Sequence, residues 1–174
     1  MLRETFSVRA LDPPTESVFF LEESRLQQAI VASRQNARGR IMLPIQRSES
    51  APVQRLLNIM QPGSYVPPHR HPRPQSIELA LVLRGALQVW VFDDAGVVTH
   101  SRLLRPGSEP ALVDMEPNVW HTFAAQEQDT VLLEIKGGPY DAEHDKVFAP
   151  WAPREGDPAA PAYLQSLMDT LVKA

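Results

Sequence analysis

The sequence predicts an all-β fold, a sandwich or jelly-roll barrel with an N-terminal helix and a short C-terminal helix, and three observations carry that expectation. From Ile41 to Lys136 the apolar residues fall in short, closely spaced runs. Pro, Gly, Asn and Asp separate those runs, and these residues punctuate strands. No helix-length periodicity lies between them, which disfavours a parallel α/β sheet, where each strand needs a crossover. Candidate strands are 41–46, 55–60, 77–83, 86–92, 97–104, 111–115, 121–125 and 130–136.

Ahead of the strands, residues 17–21 could pair as a short strand. Residues 22–36 place Leu26, Ala29, Ile30 and Ser33 on one face at helical spacing, which predicts a packing helix. Two turns are signalled, Arg84-Gly85 and Asp93-Asp94-Ala95-Gly96, and both read as hairpins because glycine takes positive φ without steric cost. After the strands, 137–161 is rich in Pro, Gly, Asp and Glu. Its Tyr140, Phe148 and Trp151 are costly to leave in water, so this stretch should wrap over the barrel. A helix over 162–172 follows, carrying Leu164, Leu167, Met168 and Leu171. The expected organisation is one domain: an extension over 1–40, a barrel over 41–136, and a wrapping segment with its helix over 137–174.

Composition narrows the function. The chain has 174 residues, 43% hydrophobic, enough to fill one core. Its net charge is −4 with both signs interspersed and no basic stripe, so nucleic acid is not an expected partner. It has no cysteine, which excludes disulfides, thiolate metal sites and cysteine nucleophiles. Any metal must sit on nitrogen and oxygen. No stretch reaches the roughly 18 apolar residues of a membrane span, and the N-terminus lacks a signal-type apolar run. The expectation is a cytoplasmic protein with no membrane partner.

The chemistry concentrates in Gly63 to Gly85. On an extended backbone His69 and His71 point to the same face and present two imidazoles side by side. After a loop with Pro72 and Pro74, Glu78 shares a strand face with Ala80 and Val82. A carboxylate on an interior face needs a compensating charge, and a bound cation supplies one. His121 starts a later strand after a turn. Imidazoles with a carboxylate suit zinc, iron, manganese, nickel or copper, and three His plus one Glu leave open positions on an octahedral metal, as catalytic sites do.

These residues resemble the two motifs of the cupin superfamily. The first runs Gly, five residues, His-x-His, a spacer, Glu, six residues, Gly, and Gly63, His69, His71, Glu78 and Gly85 fit it. The spacer of six residues is longer than usual. By strict counting Gln75 stands at the glutamate position and is the alternative third ligand, whereas Glu78 keeps the distance to Gly85. In the second motif only His121 is literal; Glu116 and Asn118 stand at the Pro and Gly positions, and Ala125 where Asn is expected. Asn tolerates a left-handed backbone, so Asn118 can preserve the turn.

Between Val53 and Gly156 the chain also resembles the WbuC family of cupin-fold metalloproteins, through Pro52 to Asn58, Ser64 to His71, Glu134 to Asp141 and Lys146 to Pro153. The resemblance implies a double-stranded β-helix, one divalent metal, and a link to O-antigen polysaccharide gene clusters. It supplies no reaction. The expected function is a metal-dependent enzyme acting on a small polar ligand such as a sugar or sugar nucleotide, with Tyr65, Glu134 and Tyr140 as catalytic candidates and Arg55 as a further lining residue. A non-catalytic metal-dependent binding module and a metal-independent sugar epimerase are the alternatives. His100 and His144 match no motif and read as surface residues. Leu79, Leu81 and Leu83 form an apolar outer face to be covered by the helix, a second sheet or another subunit, and a homodimer is expected.

Overall fold

The alternation of apolar and polar residues is realised as two five-stranded antiparallel sheets in the computed structural model, which describes residues 9–107 and 110–170. The first sheet has the order β1 (Arg40–Pro44), β2 (Val53–Met60), β9 (Thr130–Gly137), β4 (Glu78–Arg84), β7 (Leu112–Met115). The second has the order β10 (Val147–Phe148), β3 (His69–Arg70), β8 (Trp120–Ala125), β5 (Leu87–Phe92), β6 (Val98–Leu104). Consecutive strands β2 and β3, β4 and β5, and β8 and β9 lie in opposite sheets, so the chain winds between the layers as a jelly roll.

Between the sheets, Val66, Ala80, Val82, Leu87, Val89, Phe123 and Leu132 form the inner core. The outer face of the first sheet is covered along β1 and β2 by α1 (Glu23–Gln35), whose buried Ala29 and Ile30 pack on Ile41, Leu43, Leu57 and Ile59. Full burial of a side chain such as Ile30 contributes about 1.5–3 kcal/mol. The outer face of the second sheet is covered by the C-terminal segment and α2 (Ala160–Asp169), through Trp90, Phe92, Trp120, Ala149, Leu164 and Leu167. The segment therefore wraps the barrel, and Trp151 stacks on the β5–β6 turn so closely that a Cβ at Gly96 would lie 2.7 Å from its ring.

Three expectations need correction. Residues 17–21 are a bend and irregular chain rather than a strand, because the free edge of β1 is taken by Ala10, which bridges Met42. Arg84-Gly85 is not a hairpin turn: β4 pairs with β7 and β9, β5 pairs with β6 and β8, and the dipeptide carries the chain from one sheet to the other. Gly85 has φ 77°, and a Cβ there would approach Thr130 Oγ1 to 2.5 Å. The C-terminal helix starts two residues early, at Ala160 with Pro161 in its first turn, a position that needs no N–H donor. Of the predicted 162–172, residues 171 and 172 lie outside the described residues. The Asp93 to Gly96 turn is a hairpin, with the Asp93 carboxylate accepting from the amides of Ala95 and Val97, each at 2.9 Å.

α1 stops short of β4 and β7. Leu83 and Leu112 are 45% and 48% exposed on that part of the outer face.

Candidate metal centre

Pairing places the ligands before any side chain is considered. His69 on β3 lies opposite His121 on β8, and Glu78 opens β4 in the facing sheet, opposite Lys136 and Met115. His71 follows β3 on the same side as His69. All four side chains are buried, and one donor atom from each lies within 4.8 Å of the others. The ring centres of His69 and His121 are 4.5 Å apart and those of His69 and His71 5.2 Å. Three separate stretches of sequence thus meet at one point inside the barrel.

The imidazole tautomers follow from their backbone partners. Nδ1 of His69, His71 and His121 lies 2.9, 2.6 and 2.9 Å from the carbonyl oxygens of Pro67, Asp145 and Val119. A carbonyl only accepts, so each Nδ1 carries the proton and each Nε2 presents a lone pair. Glu78 Oε2 lies 2.7 Å from His71 Nε2 and 3.2 Å from His121 Nε2, yet none of these three buried atoms has a hydrogen-bond partner. Lone pairs converging in a dry interior repel unless a cation sits among them. The three imidazoles and the carboxylate therefore fit a divalent metal. Burial, helped by the charge of Lys146, holds His69 well below its usual pKa, so it is neutral and ready to ligate. Burial works to raise the Glu78 carboxyl, and the Lys136 ammonium works against it in favour of the carboxylate.

The long spacer is absorbed outside the site. Gln75 is exposed and is not part of the four-residue cluster; its carbonyl oxygen instead lies where a Cβ on Gly137 would be, 1.7 Å away. Asn118 takes φ 68°, the left-handed conformation its position requires, and its amide donates to the His71 carbonyl at 2.9 Å.

His69 and Glu78 also line a cavity of about 360 Å³ that extends between the sheets toward β1 and β2. Glu134 is buried in its wall, and its carboxylate accepts from Asn58 Nδ2 at 2.9 Å. Burial, and then the negative charge of Glu78, push the Glu134 carboxyl up. Tyr140 lies at the rim, 39% exposed. Tyr65 points elsewhere: its hydroxyl donates to the Pro153 carbonyl at 2.8 Å and its ring meets Tyr163 edge-on in the outer packing layer. Arg55 is exposed on the outer face of β2, and His100 and His144 are exposed.

Sequence reasoning missed Lys136, Asp145, Lys146 and Arg40, all in the cavity wall. Lys136 carried a signal, since it stands two residues after Glu134 in an otherwise apolar strand and so shares its face. Asp145 and Lys146 sit in an irregular stretch with no such periodicity. Lys136 donates to both Asp145 carboxylate oxygens at 3.4 Å. Burial works against its ammonium, but Glu78, Asp145 and Glu134 prevail and raise it.

Sheet order, inward-facing motif residues and the buried ligand set agree. The chain has the cupin fold. Residues 21–104 match a family described as a domain of unknown function (DUF6016). No curated protein matches the sequence. Similar solved structures include an oxalate oxidase in complex with the substrate analogue glycolate, 17% identical over 66% of this chain with a TM-score of 0.49. An oxalate decarboxylase from Bacillus subtilis is 16% identical over 63%, TM-score 0.48, and KdgF from Halomonas sp. is 17% identical over 60%, TM-score 0.47. This chain spans 57%, 27% and 83% of those three proteins, respectively. No helix among the described residues is long and apolar enough to cross a membrane.

Proposed function

We propose that this cupin is a metal-dependent enzyme acting on a small polar molecule such as a sugar, with the WbuC resemblance linking it to O-antigen polysaccharide synthesis. The observation that carries the reading is that the ligands are not sealed in: His69 and Glu78 form part of the wall of a cavity that also holds Glu134 and Lys136. A purely structural metal would gain nothing from an adjoining space lined by buried charges, each of which costs desolvation. The cavity lies near the lower end of the roughly 300–1,000 Å³ range of ligand pockets, which favours a monosaccharide-sized molecule over a sugar nucleotide.

When bound, a divalent metal would polarise a carbonyl or hydroxyl, or activate water. The protein's own contribution is positional and protonic. Glu134, pushed toward its neutral form and oriented by Asn58, is placed to hold or deliver a proton at its carboxyl oxygen. Tyr140 at the rim is the second candidate for that role. The β1–β2 wall excludes bulk water from one side.

The test is metal analysis of untagged protein, followed by turnover assays on a panel of monosaccharides before and after chelation. Metal at one equivalent and chelator-sensitive turnover are expected. Bound metal without turnover across the panel would favour a non-catalytic binding module, and absence of metal with no loss of stability in chelator would overturn the reading.

A further inference from the structure

We infer that the ligand of this cavity is an acid, a small molecule whose carboxylate is held by Lys146. The inference deepens the proposed function and rests on the cavity being the ligand site.

The charged residues lining the cavity are Arg9, Arg38, Arg40, Lys136 and Lys146 against Glu49, Glu78, Glu134 and Asp145. Five against four leaves one positive charge in excess. A divalent cation on the four donors adds two more in a space of low dielectric, where an unmatched charge is costly. An anionic ligand offsets that excess. Arg9 is exposed, and Arg38 pairs with Glu155 at 2.8 Å.

The cations are not equally free. Arg40 is committed: its guanidinium donates to Ser64 Oγ at 3.1 Å, to the Tyr65 carbonyl at 2.9 Å and to Glu155 at 2.5 Å. Lys136 is committed to Asp145. Lys146 has one ion-pair contact, 3.8 Å from Asp145 Oδ2, and no hydrogen bond among the described residues. Its side chain lines the cavity wall and is 34% accessible. At 3.8 Å Asp145 Oδ2 is beyond hydrogen-bond distance, so that pair leaves the ammonium's donors unmet.

The free donors fit a carboxylate better than a phosphate. Phosphate recognition commonly adds bidentate Arg forks or several converging amides to a lysine, and the one buried Arg here is already bonded. A single ammonium beside a metal matches one carboxylate. Leu56, Val66 and Phe123 line the rest of the space and give the body of the ligand a largely apolar contact.

The experiment is calorimetric titration of the full-length, metal-loaded protein with pyruvate, malate and D-glucuronate, against D-glucose and glucose 1-phosphate. At least one acid should bind tenfold or more tightly than D-glucose. Lys146→Met should abolish that tenfold preference with metal content and melting temperature unchanged, and Lys146→Arg should restore part of it. Equal binding of glucose, tighter binding of the phosphate, no binding of any acid, or an unaltered preference in Lys146→Met would each overturn the inference. Metal analysis of the same samples separates the two readings: a metal-free protein sinks the proposed function, whereas a metal-loaded protein that ignores acids sinks only this inference.

Discussion

The Nδ1–H of His71 donates to the carbonyl oxygen of Asp145 at 2.6 Å, so a metal ligand beside β3 is oriented by the backbone of the C-terminal wrapping segment. That bond fixes the tautomer and aims Nε2 at the other ligands, the role outer partners play around metal-bound histidines. The segment that carries Lys146 and the segment that binds the metal are therefore held in one geometry.

Removing a ligand should remove the metal and leave the fold. The core is apolar on both sides of the site, and no sheet depends on a bond through the ligand atoms. His69→Ala and His121→Ala should each lower metal affinity by more than about 100-fold, the upper end of losses seen for mere outer-shell changes. Elemental analysis and far-UV circular dichroism check this. Loss of the β spectrum along with the metal would show the site to be structural.

Metal affinity should fall with pH. Ligation needs neutral imidazoles, and protons compete as pH drops below about 6.5, the unperturbed histidine value. His69, held well below that value by burial, resists protonation into the acid range. Competition titrations with a chelator between pH 5 and 8 measure it, and an affinity constant across that range would contradict histidine ligation.

Much of this site was legible in the sequence, for a physical reason. His69, His71, Glu78 and His121 lie on or beside strands, where two-residue alternation fixes which way a side chain points once one neighbour is known to face the core. The hairpin expected at Arg84-Gly85 failed because glycine's positive φ is shared by hairpin turns and by corners between sheets, and only non-local pairing with β9 distinguishes them. Lys146 was invisible because its place depends on where an irregular segment lands. Tyr65 illustrates the opposite failure: an aromatic next to the motif serves packing and a bond to Pro153.

Glu134 should make stability depend on pH in the metal-free protein. Its folded pKa is raised above the ordinary carboxyl value of 4.5 by burial and by Glu78. A raised folded pKa means that the native state binds more protons than the unfolded chain, so the contribution is full below about 4.5 and is lost as pH rises through the folded value. Glu134→Gln keeps an acceptor for Asn58 and removes the charge. Its melting temperature relative to the parent, measured in chelator, should climb as pH rises above about 4.5 and level off above the folded value. A constant difference would mean the carboxyl is not raised.

Gly137 should be intolerant of even one methyl group, and its failure should reach the metal. A Cβ at this last residue of β9 would stand 1.7 Å from the Gln75 carbonyl oxygen and 2.7 Å from the Gln75 carbonyl carbon, so the loop between His71 and Glu78 must move. That loop leads directly into Glu78, whose partner on β9 is Lys136, the neighbour of Gly137. Overpacking of this kind costs about 1–3 kcal/mol, and a backbone obstacle belongs at the upper end. Gly137→Ala should therefore lower the melting temperature and weaken metal binding together. Gln75→Ala is the control, since its exposed side chain is outside the ligand cluster and its loss should change neither property, while Glu78→Gln should weaken the metal and spare the fold. If Gln75→Ala released the metal and Glu78→Gln kept it, the long spacer would have to be redrawn with Gln75 as the third ligand.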